Sequence, residues 1–350
     1  MSISFLDDYS EGAHPDILRA LADTNLVQQP AYGADAYSID AASRIRAQLG
    51  GAFQGAIHFV ASGTMANIVA ISSCLRPHEA VIAVDSGHIV VREAGAIEAT
   101  GHKLIVVPAV NGKLTPEHIE AALAVNSHFP HMAKPRLLYL SNATETGTVY
   151  TLAELRRISA LAKQRGLLLF LDGARLAAAL ASNNNDTTLA DIASLVDLFW
   201  IGGTKVGALL GEAIVVCNRA LSEDFAFHLK QRGGMLAKGR LLGLQFQALF
   251  GEGMLFSALA RHANSMAGKL AGGIASLGYE LAAETQTNQV FPILPNSVIA
   301  ELQQDFCFYV WEPVEGERSV VRLVTSWATE EVQVNSFLSH LSTVAGQGNE

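Results

Sequence analysis

The sequence predicts an α/β protein built on a largely parallel, seven-stranded sheet sandwiched by helices. Two observations carry that expectation. Between about residues 55 and 218, seven apolar runs alternate with stretches of helical pattern. Most of these runs are continuous rather than alternating, as in strands covered on both faces by helices. In chain order the predicted strands are "GAIHFVAS" (55–62), "AVIAV" (80–84), "KLIVVP" (103–108), "PRLLYLS" (135–141), "LLLFLD" (167–172), "DLFWIGG" (197–203) and "GEAIVVC" (211–217). Helix signals stand between them. Thr115-Pro116 is an N-cap with proline at the first helical position, Thr151 with Glu154 makes a capping box, and Gly166 sits where that helix should stop. After residue 235 a helical region runs to about Leu277, followed by short strands alternating with helices. The expected division is a large domain over 15–240 and a smaller α+β domain over 241–350, completed by 1–14 if the chain folds back.

Composition bounds the function classes. The 350 residues are 50% hydrophobic and 16% charged, with mean hydropathy +0.26. That apolar balance suggests surface covered by partner subunits. No apolar run reaches the ~18 residues of a membrane span. The start "MSISFLDDYSEGAHP" has no basic segment leading into an apolar core, so a cytoplasmic location is expected. A net charge of −9 without a basic patch argues against nucleic acid as a partner. The three cysteines stand apart in mostly apolar segments, as reduced core residues do, and His128 and His131 lack companions at ligand spacing, so no metal is expected.

Ligands of open α/β sheets bind outside the carboxyl ends of the strands, so the residues after each strand are the candidates. Lys205 lies in the apolar, glycine-rich stretch "DLFWIGGTKVGALLGEAIVV". It is either a lysine whose stem lies on apolar surface with its head in water, or an amine kept neutral by burial and therefore nucleophilic. Ser62-Gly63-Thr64 opens a helix and offers free N–H groups and two hydroxyls, either as an ordinary N-cap or as a phosphate seat. Asp172, at the mouth of a buried strand, can cap the next helix or hold a ring nitrogen protonated. Together, phosphate turn, acid and lysine are the three attachments of pyridoxal phosphate. His88 follows another strand, where its ring could stack on the cofactor. Arg322, in "VVRLVTSW", needs an anion, whether an internal carboxylate or that of a substrate.

With those residues assembled, the chain resembles the threonine aldolase family of fold-type-I pyridoxal phosphate enzymes. The similarity spans "YGADAY" (32–37), "FVASGTMANIVA" (59–70), "GHIVVREAGAIEATGHK" (87–103), "LYLSNATETGTVYT" (138–151), "FLDGARLAAA" (170–179), "GGTKVGALLGEA" (202–213) and "VRLVTSW" (321–327). The resemblance implies that Lys205 is the Schiff-base lysine, that Asp172 pairs with the pyridinium and that His88 stacks on the ring. Ser62, Gly63 and Thr64 would hold phosphate, and Arg175 and Arg322 the amino-acid carboxylate. It further implies a homotetramer, a dimer of dimers whose active sites borrow Tyr32, Lys238 and Arg240 across an interface.

Two departures from the family pattern stand out. Where many relatives carry Glu-Asn-Thr-His, this chain has Ser141-Asn142-Ala143-Thr144-Glu145, so the base that takes the β-hydroxyl proton is His88, Glu145 or a bound water. Where the family has a serine near the carboxylate, this chain has Asp7 and Asp8, with Tyr9 or Ser10 as substitutes. The expected reaction is aldol cleavage of a β-hydroxy-α-amino acid, threonine- or phenylserine-like, to glycine and an aldehyde. The alternatives are β-elimination or transamination on the same scaffold, or a non-catalytic cofactor-binding protein.

Overall fold

The computed structural model describes residues 2–347. Its centre is a seven-stranded sheet in the order Ala56–Val60, Glu212–Val216, Leu198–Gly202, Leu168–Asp172, Lys134–Ser141, Glu79–Val84 and Lys103–Val107. The pairs are parallel except those made by Glu212–Val216, which runs antiparallel to both of its neighbours. The two strands flanking it therefore point the same way, and the strand ends that carry candidate residues share one edge.

The continuous apolar runs are explained by two cores, one on each face. Ile82, Leu138, Leu140, Leu169, Leu171, Phe199 and Ile201 face one core, with helices that include Ala36–Gln48 and Leu152–Arg165. Val81, Ala83, Leu137, Tyr139, Phe170, Leu198 and Trp200 alternate with them and face the other, with Gly63–Cys74 and Phe225–Gln231. A period of two serves both faces, and each must be apolar. The capping box of Thr151 and Glu154 is formed, and Gly166 closes that helix at φ 65°.

The large core runs past residue 240. Helix Arg240–Leu249 packs on Ala36–Gln48, and Phe246, Leu249, Phe256 and Ala260 belong to the large core. The amphipathic face of this segment, rather than the change of pattern near residue 235, decides where it sits.

The remaining C-terminal strands, Gln289–Val290, Ile293–Pro295, Tyr309–Val314 and Arg318–Val324, pair antiparallel about Arg318–Val324. Helices Leu255–Ser276 and Glu331–Gln347 cover them. Ile3–Ser4 pairs in parallel with Phe306–Cys307, and Phe5 enters this smaller core against Phe306 and Phe337. From there the N-terminal segment reaches the carboxyl end of the central strand Leu168–Asp172, where Asp8 meets Arg175. No helix among the described residues is long and apolar enough to cross a membrane.

Candidate active site

Asp172 and Lys205 follow neighbouring strands. Asp172 ends Leu168–Asp172, and Lys205 sits in the turn Thr204–Val206 just beyond Leu198–Gly202; the Gly202 N–H donates to the Gly173 carbonyl at 3.0 Å between them. Gly173 is obligatory here, because a Cβ would lie 1.8 Å from the Trp200 carbonyl oxygen.

The Asp172 carboxylate is buried and fixed by three donors. The Tyr139 hydroxyl donates to Oδ2 at 2.6 Å, Asn67 Nδ2 to the same oxygen at 3.0 Å, and the Ala174 N–H to Oδ1 at 3.0 Å. Burial, then the adjacent Asp172 and Glu145, raises the Tyr139 phenol well above its usual range, so it remains a donor. Asn67 in turn accepts from Trp200 Nε1 at 3.1 Å and donates to Glu93 Oε1 at 2.8 Å. His88 Nδ1 meets that same Glu93 oxygen at 2.8 Å. A continuous chain thus runs His88, Glu93, Asn67, Asp172. The signals that could have marked its middle members are an asparagine within the apolar stretch 65–71 and an acid five residues beyond His88.

Lys205 is partly buried, and burial together with the nearby Arg175 lowers its amine to about 8. Its Nζ lies over the Tyr9 ring, 5.7 Å from the centroid. The turn that carries it is anchored from behind by buried Glu212, which accepts from the Gly203 N–H at 2.9 Å and the Thr204 hydroxyl at 2.8 Å. Burial raises Glu212 to about 7.

Ser62 caps Gly63–Cys74, accepting from the Met65 N–H at 3.3 Å, and Gly63 lies against Trp200, whose ring would be 2.8 Å from a Cβ there. Glu145 Oε1 accepts from the His88 N–H at 2.9 Å and the Ser141 hydroxyl at 2.7 Å; Oε2 is buried with no partner among the described residues, and burial raises this carboxyl.

The two expected carboxylate-binding arginines differ. Arg175 is bound by Asp8 at two points along its Nε–Nη2 edge, Nε to Oδ2 at 2.7 Å and Nη2 to Oδ1 at 3.0 Å. Arg322 Nε donates to the Gln289 amide oxygen at 2.9 Å and forms no salt bridge among the described residues; its guanidinium lies over Tyr309 and Trp311 at 5.9 and 5.5 Å. Tyr9 and Ser10 are exposed, and Asp8, not either of them, is the buried member of that segment. No motif announced the contact, since Asp8 and Arg175 lie 167 residues apart.

Tyr32, Lys238 and Arg240 are not brought to this group within one chain. Tyr32 is half exposed beneath Lys230 Nζ, 4.2 Å from its ring centroid, and lines a separate cavity of about 230 Å³ with His58, Phe59 and Met235. Arg240 donates to the carbonyls of Val27 and Thr24 and stacks on Tyr37, and Lys238 is exposed.

Comparison with known proteins gives the kinship. Residues 7–296 match the family described as "Beta-eliminating lyase". A "Low specificity L-threonine aldolase" of a Pseudomonas species is 33% identical over 98% of both chains, and one of Pseudomonas aeruginosa is 32% identical over 98% of both. The structure of Leishmania major threonine aldolase is 48% identical, covers 98% of this chain and 99% of its own, and superposes with a TM-score of 0.95. The chain belongs to the beta-eliminating lyase family, and within it to the threonine aldolases.

Proposed function

We propose that the protein is a pyridoxal phosphate-dependent aldehyde-lyase that cleaves β-hydroxy-α-amino acids, threonine- or phenylserine-like, to glycine and an aldehyde. The observation that carries the reading is one centre holding an amine lowered to about 8 and a buried carboxylate locked by three donors, on the ends of adjacent strands.

The residues fit the cofactor. Lys205 supplies the amine for its aldehyde, Asp172 the acceptor for its ring nitrogen, and the opening turn at Ser62, Gly63 and Thr64 the N–H groups for phosphate, with His88 against the ring. Bound there, pyridoxal phosphate supplies a heterocycle that accepts the electron pair released when a bond to the substrate α-carbon breaks. The chain does the rest. Tyr139 and Asn67 orient Asp172 and keep it an acceptor. Arg322 binds the α-carboxylate, with Gln289 fixing the plane of its guanidinium. His88, with Nδ1 held by Glu93, has its other ring nitrogen to take the β-hydroxyl proton. Glu145 Oε2, unpartnered and with a raised pKa, is the second proton carrier.

The assembly we infer is a homotetramer in the cytoplasm, with Tyr32, Lys238 and Arg240 reaching a neighbouring subunit's site. Exposed apolar side chains near them, Leu26 at 92% and Ile39 at 61%, support a covered face.

Incubation with L-threonine, L-phenylserine, L-serine, and an amino acid plus a keto acid tests the reaction. Glycine with an aldehyde supports it. Pyruvate with ammonia, or a new amino acid, overturns it in favour of elimination or transamination.

A further inference from the structure

Two arginines meet at this centre with opposite electrostatic situations. Asp8, 1% exposed, closes a two-point pair on Arg175, and its Oδ2 also accepts from Asn288 Nδ2 at 2.9 Å. Asn288 is itself held, donating to the Thr325 carbonyl at 2.8 Å, and the N-terminal segment is pinned by the Phe5 N–H to the Cys307 carbonyl at 2.7 Å. Asp8 is therefore a fixture. Although burial opposes it, Arg175 and Lys205 hold its carboxyl down to about 2, and the pair raises Arg175. Among the described residues Arg322 has only the neutral Gln289 amide and two aromatic faces; burial and Arg175 lower it to about 10. One guanidinium already has its anion, and the other has none among the described residues.

We propose that Asp8 is a specificity-determining residue: it occupies Arg175 from within the chain, leaves Arg322 to the α-carboxylate, and sets the site against β-hydroxy amino acids that carry a second carboxylate. An incoming side-chain carboxylate finds the Nε–Nη2 edge of Arg175 filled and the fixed negative charge of Asp8 beside it. Displacing Asp8 would strip a buried carboxylate of its partner. The proposal rests on the aldol-cleavage reading of the site.

The test compares L-threonine with 3-hydroxyaspartate. Cleavage of 3-hydroxyaspartate breaks the same Cα–Cβ bond: the hydroxyl proton goes to the base, the α-carbon keeps the electron pair and is protonated to glycine, and the other product is glyoxylate. Calorimetric binding of L-alanine and L-aspartate to the holoenzyme gives a second readout that needs no turnover. Wild type should favour threonine and alanine. In Asp8→Asn, which keeps the shape and removes the charge, both preference ratios should shift toward the dicarboxylate by at least ~10-fold, the effect of one charge-assisted partner. Unchanged ratios in a folded Asp8→Asn protein overturn the proposal, and so does a wild type that handles both classes equally. If Asp8→Asn does not fold, Asn288→Ala, which loosens Asp8, must shift the ratios in the same direction, and its failure to do so counts equally against the idea. If wild type cleaves neither substrate, the functional reading has failed, while the alanine-to-aspartate binding ratio still reports on Asp8.

Discussion

The Tyr139 hydroxyl stands 2.6 Å from Asp172 Oδ2 and donates to it, although the two residues lie on separate strands and 33 positions apart. Register alignment of Tyr139 with Phe170 and of Ser141 with Asp172 places the phenol beside the acid, on the same face of the sheet as Trp200. Removing this donor should be felt at the acid. Tyr139→Phe keeps the ring and leaves Oδ2 with Asn67 alone, a loss of about 1.5–3 kcal/mol for a bond to a charged group. Turnover should fall roughly ten-fold or more and the melting temperature should drop. Wild-type kinetics and melting in this variant would refute the assignment.

Lys205 should be unfavourable for the fold and required for the reaction. Its folded pKa of about 8 lies below the ordinary 10.5, so below pH 8 the native state must carry a charge it disfavours. Stability should therefore rise as pH climbs from about 8 toward 10.5. At pH 7 cofactor-free Lys205→Met should be more stable than wild type by on the order of 2–3 kcal/mol and should be inactive. Denaturant melts across pH check the sign: a variant less stable at pH 7 contradicts it.

We expect the same amine to govern cofactor capture. The rate at which cofactor-free protein gains an imine absorption band should increase through a midpoint near pH 8, following the neutral amine. A midpoint near 10 would mean that the amine is solvated, and a persistent band in Lys205→Ala would place the attachment elsewhere.

Glu93 links His88 to Asn67, and its Oε2 is a buried atom without a partner among the described residues. Glu93→Gln retains the size but weakens the hold on Nδ1 and the electrostatic support for a protonated imidazole. We expect kcat to fall by roughly 10–100-fold, the scale of general acid–base assistance, with a shifted pH profile and little change in KM. An unaltered pH profile would remove His88 from proton transfer.

Gly63 has Trp200 where a side chain would go, at 2.8 Å from a built Cβ. Gly63→Ala should push the helix start off the indole, costing about 1–3 kcal/mol as overpacking and weakening phosphate retention. Cofactor affinity measured by fluorescence quenching, together with melting, would show both effects or contradict the close packing.

Much of this architecture could be read from the chain. Seven apolar runs became seven strands, and most of them are continuous because burial on both faces leaves an inner strand no choice of composition. Lys205 and Asp172 stood out because a charge at the end of such a run has a cost that must be explained. Asn67, Glu93 and Tyr139 did not stand out. Their roles exist only through partners at separations such as 105 residues, from Asn67 to Asp172, and a hydrogen bond of that range leaves no periodic trace. Asp8 was visible as a misfit, and only the crossing of the N-terminal strand turns the misfit into an ion pair. The segment after residue 240 was assigned by its change of pattern, whereas packing against Ala36–Gln48 binds it to the large core.

The parallel pairing of Ile3–Ser4 with Phe306–Cys307 makes the small subdomain the anchor of a tether whose far end touches the catalytic centre. Any event that frays that anchor, whether heat, denaturant or a cavity beneath Phe5, withdraws Asp8 and Tyr9 together and exposes a bare guanidinium. Fidelity toward the incoming molecule is thus coupled to the local unfolding free energy of a remote sheet. Mutations there, touching nothing that reacts, would broaden what the protein accepts before they slow what it does.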